Sequence, residues 1–318
     1  MLKLDYRIFI IGIKINPCIL YQIGETIIFG LFLAIFITMK LYTIHSGMFK
    51  LDGGAMHGVV PKSMWNKVNP ADENNMCSWA MRCLLIEEGN RLILIDTGMG
   101  NKQDEKFFGF FQPHGSHSLQ TSLEQYGFTT DDITDVFLTH LHFDHCGGAI
   151  QRIGDQLVPT FKNATYWSHE VHWAAAIQPN AREKASFLKE NILPIQESGQ
   201  LKLLKAQSGD IFMPGFEIQL VQGHTESMML PLITLEKHKL LFCADLIPSV
   251  AHISMPWVMA YDMKPLETLK EKEILLNRAV QENWALFFEH DRQTECATLI
   301  QTERGIKQEH LCALKDLA

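Results

Sequence analysis

The chain has 318 residues, of which 47% are apolar, 20% charged and 10% aromatic, enough apolar material for one large folded domain or two small ones. A net charge of −8, with no block of Lys or Arg, argues against a polyanion-binding surface and so against nucleic acid as a partner. The seven cysteines are scattered with no C-x-x-C pair, which argues against a disulfide framework and against a cysteine-based zinc site.

The first 39 residues stand apart. From Ile15 to Met39 the only charge is Glu25, the run 27–37 (IIFGLFLAIFI) is almost wholly apolar, and Lys3, Arg7 and Lys14 precede it. Such a segment reads as a signal peptide, as a membrane anchor, or as the product of a start codon set upstream of a domain that opens at Met39. Asn16, Pro17, Gln22 and the missing small-x-small cleavage site count against the first two. A start near Met39 implies a cytoplasmic protein. A retained segment implies a secreted, periplasmic or membrane-anchored one, and only then a membrane as partner.

Residues 40–318 show no repeat or low-complexity linker and are taken as one domain. Met39–Ile44 reads as its first strand. Arg82–Glu87 and Arg91–Asp96 flank Gly89-Asn90 and read as a hairpin. Ser118–Tyr126 has helical spacing of Leu119, Leu123 and Tyr126 and stops at Gly127. Val136–Thr139 is a buried strand ending at His140. Residues 165–192 read as helical, part of a cap at about 150–205. Strands resume at Glu217–Val221, Leu230–Leu235 and Lys239–Ala244. A helix is expected at about Pro265–Gln281, its charged run Glu267–Glu273 forming a solvated face, with Trp284–Phe288 as the last clear strand. This order implies an α/β protein with two sheets packed face to face and helices outside.

The strongest local signal is Thr139-His140-Leu141-His142-Phe143-Asp144-His145-Cys146-Gly147-Gly148. His140 and His142, two apart on extended backbone, project to one side, and Asp144 and His145 follow on the next turn. Imidazole and carboxylate are ligands that zinc accepts, whereas stray surface histidines have no reason to adopt this spacing. His224, Asp245 and His290 each follow an apolar run and are candidate partners from elsewhere in the chain. Singly, each is an ordinary turn residue.

The order H-x-H-x-D-H, then His, Asp and His, resembles the metallo-β-lactamase superfamily, as does Leu94-Ile95-Asp96-Thr97-Gly98. The resemblance implies an αββα sandwich, here with a helical cap insertion, and a site at one edge of the paired sheets. It further implies two zinc ions per chain. His140, His142 and His224 would hold one, Asp144, His145 and His290 the other, and Asp245 would bridge them, with Asp96 orienting ligands from outside. Cys146 and Cys243 match no family ligand and read as buried structural thiols.

Phe49–Met56 with Val59-Val60-Pro61-Lys62 and Trp65, and Asp245-Leu246-Ile247-Pro248 with His252, Pro256-Trp257 and Tyr261-Asp262, are similar to quorum-quenching N-acyl homoserine lactonases. That likeness implies a lactonase that opens the ring of an acyl lactone by attack of a hydroxide held between the two metals, with Asp144 passing a proton to the leaving oxygen. The alternative is a metal-dependent hydrolase of phosphotriesters or thioesters. Pro248 stands where better-known lactonases carry a tyrosine, so His252 is expected to supply the missing donor as a second catalytic residue, with Tyr261 as the other choice. An acyl-chain pocket would draw on Met56, Trp65, Phe107, Phe108, Phe110, Phe111, Trp167, Trp173, Met255 and Trp257, half of which are expected to be plain packing. His169 and His172 read as helix packing or as solvent-exposed residues, and His57 as uninformative. A small molecule is the expected partner, and a homodimer is allowed.

Overall fold

In the computed structural model, which describes residues 39–317, the strand Met76–Glu88 faces two different cores. Leu84 and Ile86 pack with Ile93, Ile95 and Phe137 against Phe216, Leu230, Leu241 and Leu286. Cys83 and Leu85 pack with Leu94 and Val136 against Leu123, Trp173, Ile192 and Ile195. Alternate residues of a strand point to opposite faces, so a strand apolar on both needs a sheet on one side and helices on the other.

In chain order the elements are β1 (Lys40–Asp52), α1 (Gly53–His57), α2 (Lys62–Trp65), β2 (Met76–Glu88), β3 (Arg91–Ile95), α3 (Glu105–Phe111), α4 (Leu119–Gln125), β4 (Asp135–Phe137), α5 (Phe143–Cys146), β5 (Ile150–Ile153), β6 (Gln156–Pro159) and β7 (Thr165–His169). They continue with α6 (Glu170–Ile177), α7 (Lys189–Glu197), β8 (Leu201–Leu204), β9 (Ile211–Met213), β10 (Phe216–Val221), β11 (Met228–Thr234), β12 (Lys239–Phe242), α8 (Pro265–Gln281), β13 (Trp284–Phe287), β14 (Cys296–Thr302) and β15 (Gly305–Cys312). One sheet runs β1-β2-β3-β4-β7-β8, the other β15-β14-β13-β12-β11-β10-β9, and β5-β6 forms a separate hairpin. Pairing is parallel at β3/β4, β4/β7, β7/β8 and β12/β13 and antiparallel at the other pairs. Leu275, Leu276 and Ala279 of α8 join the core of the second sheet. The fold is the αββα sandwich that the sequence pattern implies.

Several expectations are corrected. Residues 165–192 do not form one helical block: Thr165–His169 is a strand, paired with β4 and β8 because Tyr166 belongs to the core beneath the sheet. Trp284–Phe287 is not the last strand, since β14 and β15 extend the sheet beyond it. Both are mostly polar along one face, which hid them. The run Glu267–Glu273 is not uniformly solvated: Lys272 is fully buried, donating to the carbonyls of Ser254, Met255 and Trp257 at 2.9–3.3 Å. The readings of residues 1–38 lie outside the described residues. Among the described residues no helix is long and apolar enough to cross a membrane.

Candidate metal centre

The chain leaves β3, β4, β10, β12 and β13 at a common edge of the sandwich, delivering Asp96, His140, His224, Asp245 and His290 in turn. After β4 the backbone stays extended to His142, which precedes the single-turn helix α5 carrying Asp144 and His145. The turn that follows runs against the loop after β3. A Cβ on Gly147 would stand 2.1 Å from the Met99 carbonyl oxygen, and one on Gly148 2.2 Å from that of Thr97, so only glycine permits this approach.

The seven histidine and aspartate side chains fall into two buried groups, His140/His142/His224/Asp245 and Asp144/His145/His290. Asp245 turns one oxygen to each group. Its Oδ2 lies 3.1 Å from His224 Nε2 and 3.9 Å from His140 Nε2. Its Oδ1 lies 3.0 Å from His290 Nε2 and 3.5 Å from His145 Nε2. Asp144 Oδ2 stands 3.8 Å from both of those nitrogens. A tetrahedral ion with arms of about 2.0–2.2 Å has edges of roughly 3.4 Å, and these separations bracket that value.

The outer ring nitrogens fix which way the inner ones face. His290 Nδ1 donates to the Ala80 carbonyl at 2.7 Å. His145 Nδ1 faces Asp96 Oδ2 at 3.2 Å and Glu289 Oε2 at 3.1 Å. His224 Nδ1 donates to Asp262 Oδ1 at 2.9 Å. His140 Nδ1 meets Thr139 Oγ1, whose own proton goes to Asp96 Oδ2 at 2.6 Å. Each contact leaves a lone pair on the inward nitrogen. Yet His145 Nε2 and His290 Nε2 are only 3.2 Å apart, and His140 Nε2 and Asp245 Oδ1 have no hydrogen-bond donor at all. Facing imidazole nitrogens in a buried cluster need a positive charge between them, supplied by a proton or by a metal ion. The donor set therefore fits a pair of metal ions, and Glu183 Oε1 stands 3.6 Å from the outer nitrogen Nε2 of the remaining imidazole, His142, beyond hydrogen-bond length.

The electrostatics agree. Burial opposes charge on His224, but Asp245 and Asp262 lift its pKa to about 10. Burial likewise opposes charge on His145, and Glu289, Asp245 and Asp144 carry it well above the usual imidazole range. Burial would raise the pKa of Asp245, but the imidazoles of His145, His224 and His290 hold it well below the carboxylate range. Burial and the neighbouring imidazoles of His145 and His142 push His140 down. Glu289 is raised by its burial. This concentration of buried negative charge calls for positive charge at its middle.

The centre opens into a cleft of about 410 Å³ whose wall includes Leu51, Met56, Phe111, Phe143, Glu183 and Tyr261. Of the candidate acyl-pocket residues, Met56 and Phe111 line it. Trp257 and Met255 line a different cavity, Trp167 a third, and Trp65 and Trp173 are core. Phe107 packs on Phe111 and Phe143.

His252 is a correction. It is fully buried, its Nε2 donates to the Met56 carbonyl at 2.9 Å and its Nδ1 engages Ser249 Oγ at 2.7 Å, so neither nitrogen is free for a ligand and the ring does not reach the cleft. Tyr261, the other candidate donor, lines the cleft. His172 accepts from the Leu141 amide at 2.8 Å and bonds the Glu226 carbonyl, bracing the loop from below as packing and not as a ligand. Cys146 and Cys243 are buried, their thiols pushed up by burial. Glu183 and Glu289 escaped the sequence reading, and Asp262 entered it only within Tyr261-Asp262, with no role assigned. Asp262 and Glu289 sit in turns beside recognisable residues, but nothing local says what they face.

The profile described as the metallo-beta-lactamase superfamily matches residues 82–290. An N-acyl homoserine lactonase of Bacillus cereus is 25% identical over 283 residues, covering 84% of this chain and 96% of its own. The crystal structure of a probable metal-dependent hydrolase from Staphylococcus aureus superposes with a TM-score of 0.78 at 29% identity, over 86% of this chain and 96% of that one. AidC, a dizinc quorum-quenching lactonase with a product bound, superposes with a TM-score of 0.69 at 22% identity over 87% and 96% of the two chains, which shows a shared fold.

Proposed function

The chain belongs to the metallo-β-lactamase superfamily of hydrolases, and from that premise we propose that it opens the ring of N-acyl homoserine lactones with two zinc ions per chain. The observation that carries the reading is the carboxylate of Asp245, one oxygen toward each group of inward imidazoles, at the floor of a cleft with one apolar wall. The near full-length likeness to lactonases supports the choice of substrate.

His140, His142, His224 and Asp245 would hold one ion, and Asp144, His145 and His290, with Asp245 beside them, would hold the second. When bound, such a pair supplies a water that is nucleophilic near neutral pH and polarises an acyl carbonyl. Leu51, Met56, Phe111 and Phe143 receive the acyl chain. Tyr261 stays protonated, because partial burial and the carboxylates of Asp144, Asp52 and Asp245 raise its pKa, and its hydroxyl orients the lactone by donating a hydrogen bond. Asp144, on the cleft wall, takes the proton of the attacking water and returns it to the ring oxygen as the acyl–oxygen bond breaks. The product is a ring-opened hydroxy acid.

The test is a pH-stat screen of the metal-loaded protein against acyl homoserine lactones, a thioester and paraoxon, with metal content measured on the same sample. Lactone turnover far above the other two supports the reading. Faster turnover of the phosphotriester or thioester would sink it while leaving a metal-dependent hydrolase.

A further inference from the structure

The segment 288–295, between β13 and β14, carries His290 on irregular backbone, so its N–H and C=O groups need partners from outside a strand ladder. Two side chains answer the two needs. The carboxylate of Asp291 accepts the amide protons of Gln293 at 3.0 Å and Thr294 at 2.8 Å, and that of Val250 at 3.0 Å. The guanidinium of Arg82 serves the carbonyls. Its Nη1 donates to Phe288 at 2.6 Å and to Thr294 at 3.3 Å, and its Nη2 donates to Asp291 at 2.9 Å.

Arg82 belongs to β2 and is only 3% exposed. Burying a charge is costly unless it is well hydrogen-bonded, and these three carbonyls supply the bonds. Two of the acceptors, Phe288 and Asp291, stand on either side of Glu289 and His290. The backbone of β2 completes the hold: the Arg82 amide donates to the Glu289 carbonyl at 3.1 Å, and the Ala80 amide donates to the His290 carbonyl at 3.2 Å. The Ala80 carbonyl in turn receives the Nδ1 proton of His290. Strand β2 therefore grips the segment before, at and after His290, and the guanidinium reaches carbonyls that the strand's own backbone does not. Its planar fork presents donors at fixed positions, a pattern that the compact ammonium of lysine reproduces only in part.

We propose that Arg82 is a positioning residue of the metal centre. By fixing the backbone around His290 it sets the direction of that ring, and with it the affinity of the subsite made by Asp144, His145 and His290, while touching neither metal nor substrate. The other subsite is delivered by the loops after β4 and β10, to which Arg82 makes no hydrogen bond among the described residues. This role presupposes the two-ion centre proposed above and does not depend on which ester is hydrolysed.

The experiment is zinc loading of the full chain, elemental analysis and competition with a calibrated chelator, on the wild type, Arg82→Met and Arg82→Lys. The wild type is expected to hold two equivalents. In Arg82→Met one equivalent should keep its affinity and the other should weaken about 10- to 100-fold, the usual effect of removing a ligand's outer support. Arg82→Lys should recover part of that loss. His142→Ala should weaken the opposite equivalent, which identifies the two. Circular dichroism melts follow folding, and if Arg82→Met does not fold, Arg82→Lys carries the same comparison. An arginine that only stabilises the fold would lower the melting temperature while both affinities fell alike or stayed unchanged, and either result overturns the proposal. A wild type that holds fewer than two equivalents overturns the two-ion reading, and the role of Arg82 with it, before any variant is made.

Discussion

Asp262 Oδ1 accepts the Nδ1 proton of His224 at 2.9 Å, while its Oδ2 accepts from Thr268 Oγ1 at 2.7 Å. Two side chains 38 positions apart are thereby locked so that the far nitrogen of the ring must present its lone pair to the metal centre. Replacing Asp262 with Ala frees the ring to rotate or to change tautomer. Metal affinity at that subsite should fall about 10- to 100-fold, the usual cost of losing such an outer partner. Competition with a calibrated zinc chelator measures it, and an unchanged affinity would show that His224 needs no such support.

Asp245 gives one oxygen to each group, so, if the proposed two ions are held there, Asp245→Ala should loosen both where a peripheral change loosens one. Elemental analysis should find metal content lowered to roughly half or less. Hydrolysis should drop on the order of 10²–10³-fold or more. Wild-type protein stripped by a chelator should lose activity and regain it with zinc, and the variant should not regain it. Full turnover by stripped protein would end the metal-dependent reading.

Tyr261 and His252 separate cleanly by mutation. A hydrogen bond to a group that gains charge is worth about 1.5–3 kcal/mol, so Tyr261→Phe should lower kcat/KM about 10- to 100-fold with the fold intact. His252→Phe should instead lower the melting temperature, because it strips hydrogen bonds from Met56 and Ser249, and leave kcat/KM for N-hexanoyl homoserine lactone nearly unchanged. The reverse pattern would return the donor role to His252.

His57 should set part of the acid sensitivity. Burial lowers its pKa in the folded protein to about 4, against an ordinary value of 6.5. The unfolded chain therefore takes up a proton that the folded chain refuses between these limits. Stability is fully present above pH 6.5 and declines as pH falls toward 4, by about 3 kcal/mol from this group. His57→Phe should flatten that part of the stability–pH curve relative to wild type, whatever it does to the plateau. Parallel curves from denaturant titrations at pH 7, 6, 5 and 4 would show that His57 is not the group responsible.

The sequence by itself determined the sandwich of sheets and marked His140, His142, Asp144 and His145 as one cluster, whereas His224, Asp245 and His290 were assigned only through the resemblance to a family. Alternating apolar strands are a local pattern, and four of the seven lie within six positions of one turn, so their convergence follows from backbone geometry alone. The tertiary structure decided everything set by facing partners distant in the chain. Asp262, Glu183, Glu289 and the Ala80 carbonyl orient the imidazoles, but any carboxylate or carbonyl can play that part, and only packing says which one does. The same limit hid the burial of Lys272 within a charged run and the place of His252, which stacks on His57 of α1 and does not reach the cleft. A side chain's chemistry is written at its own position, whereas its surroundings belong to residues that the fold brings there from elsewhere.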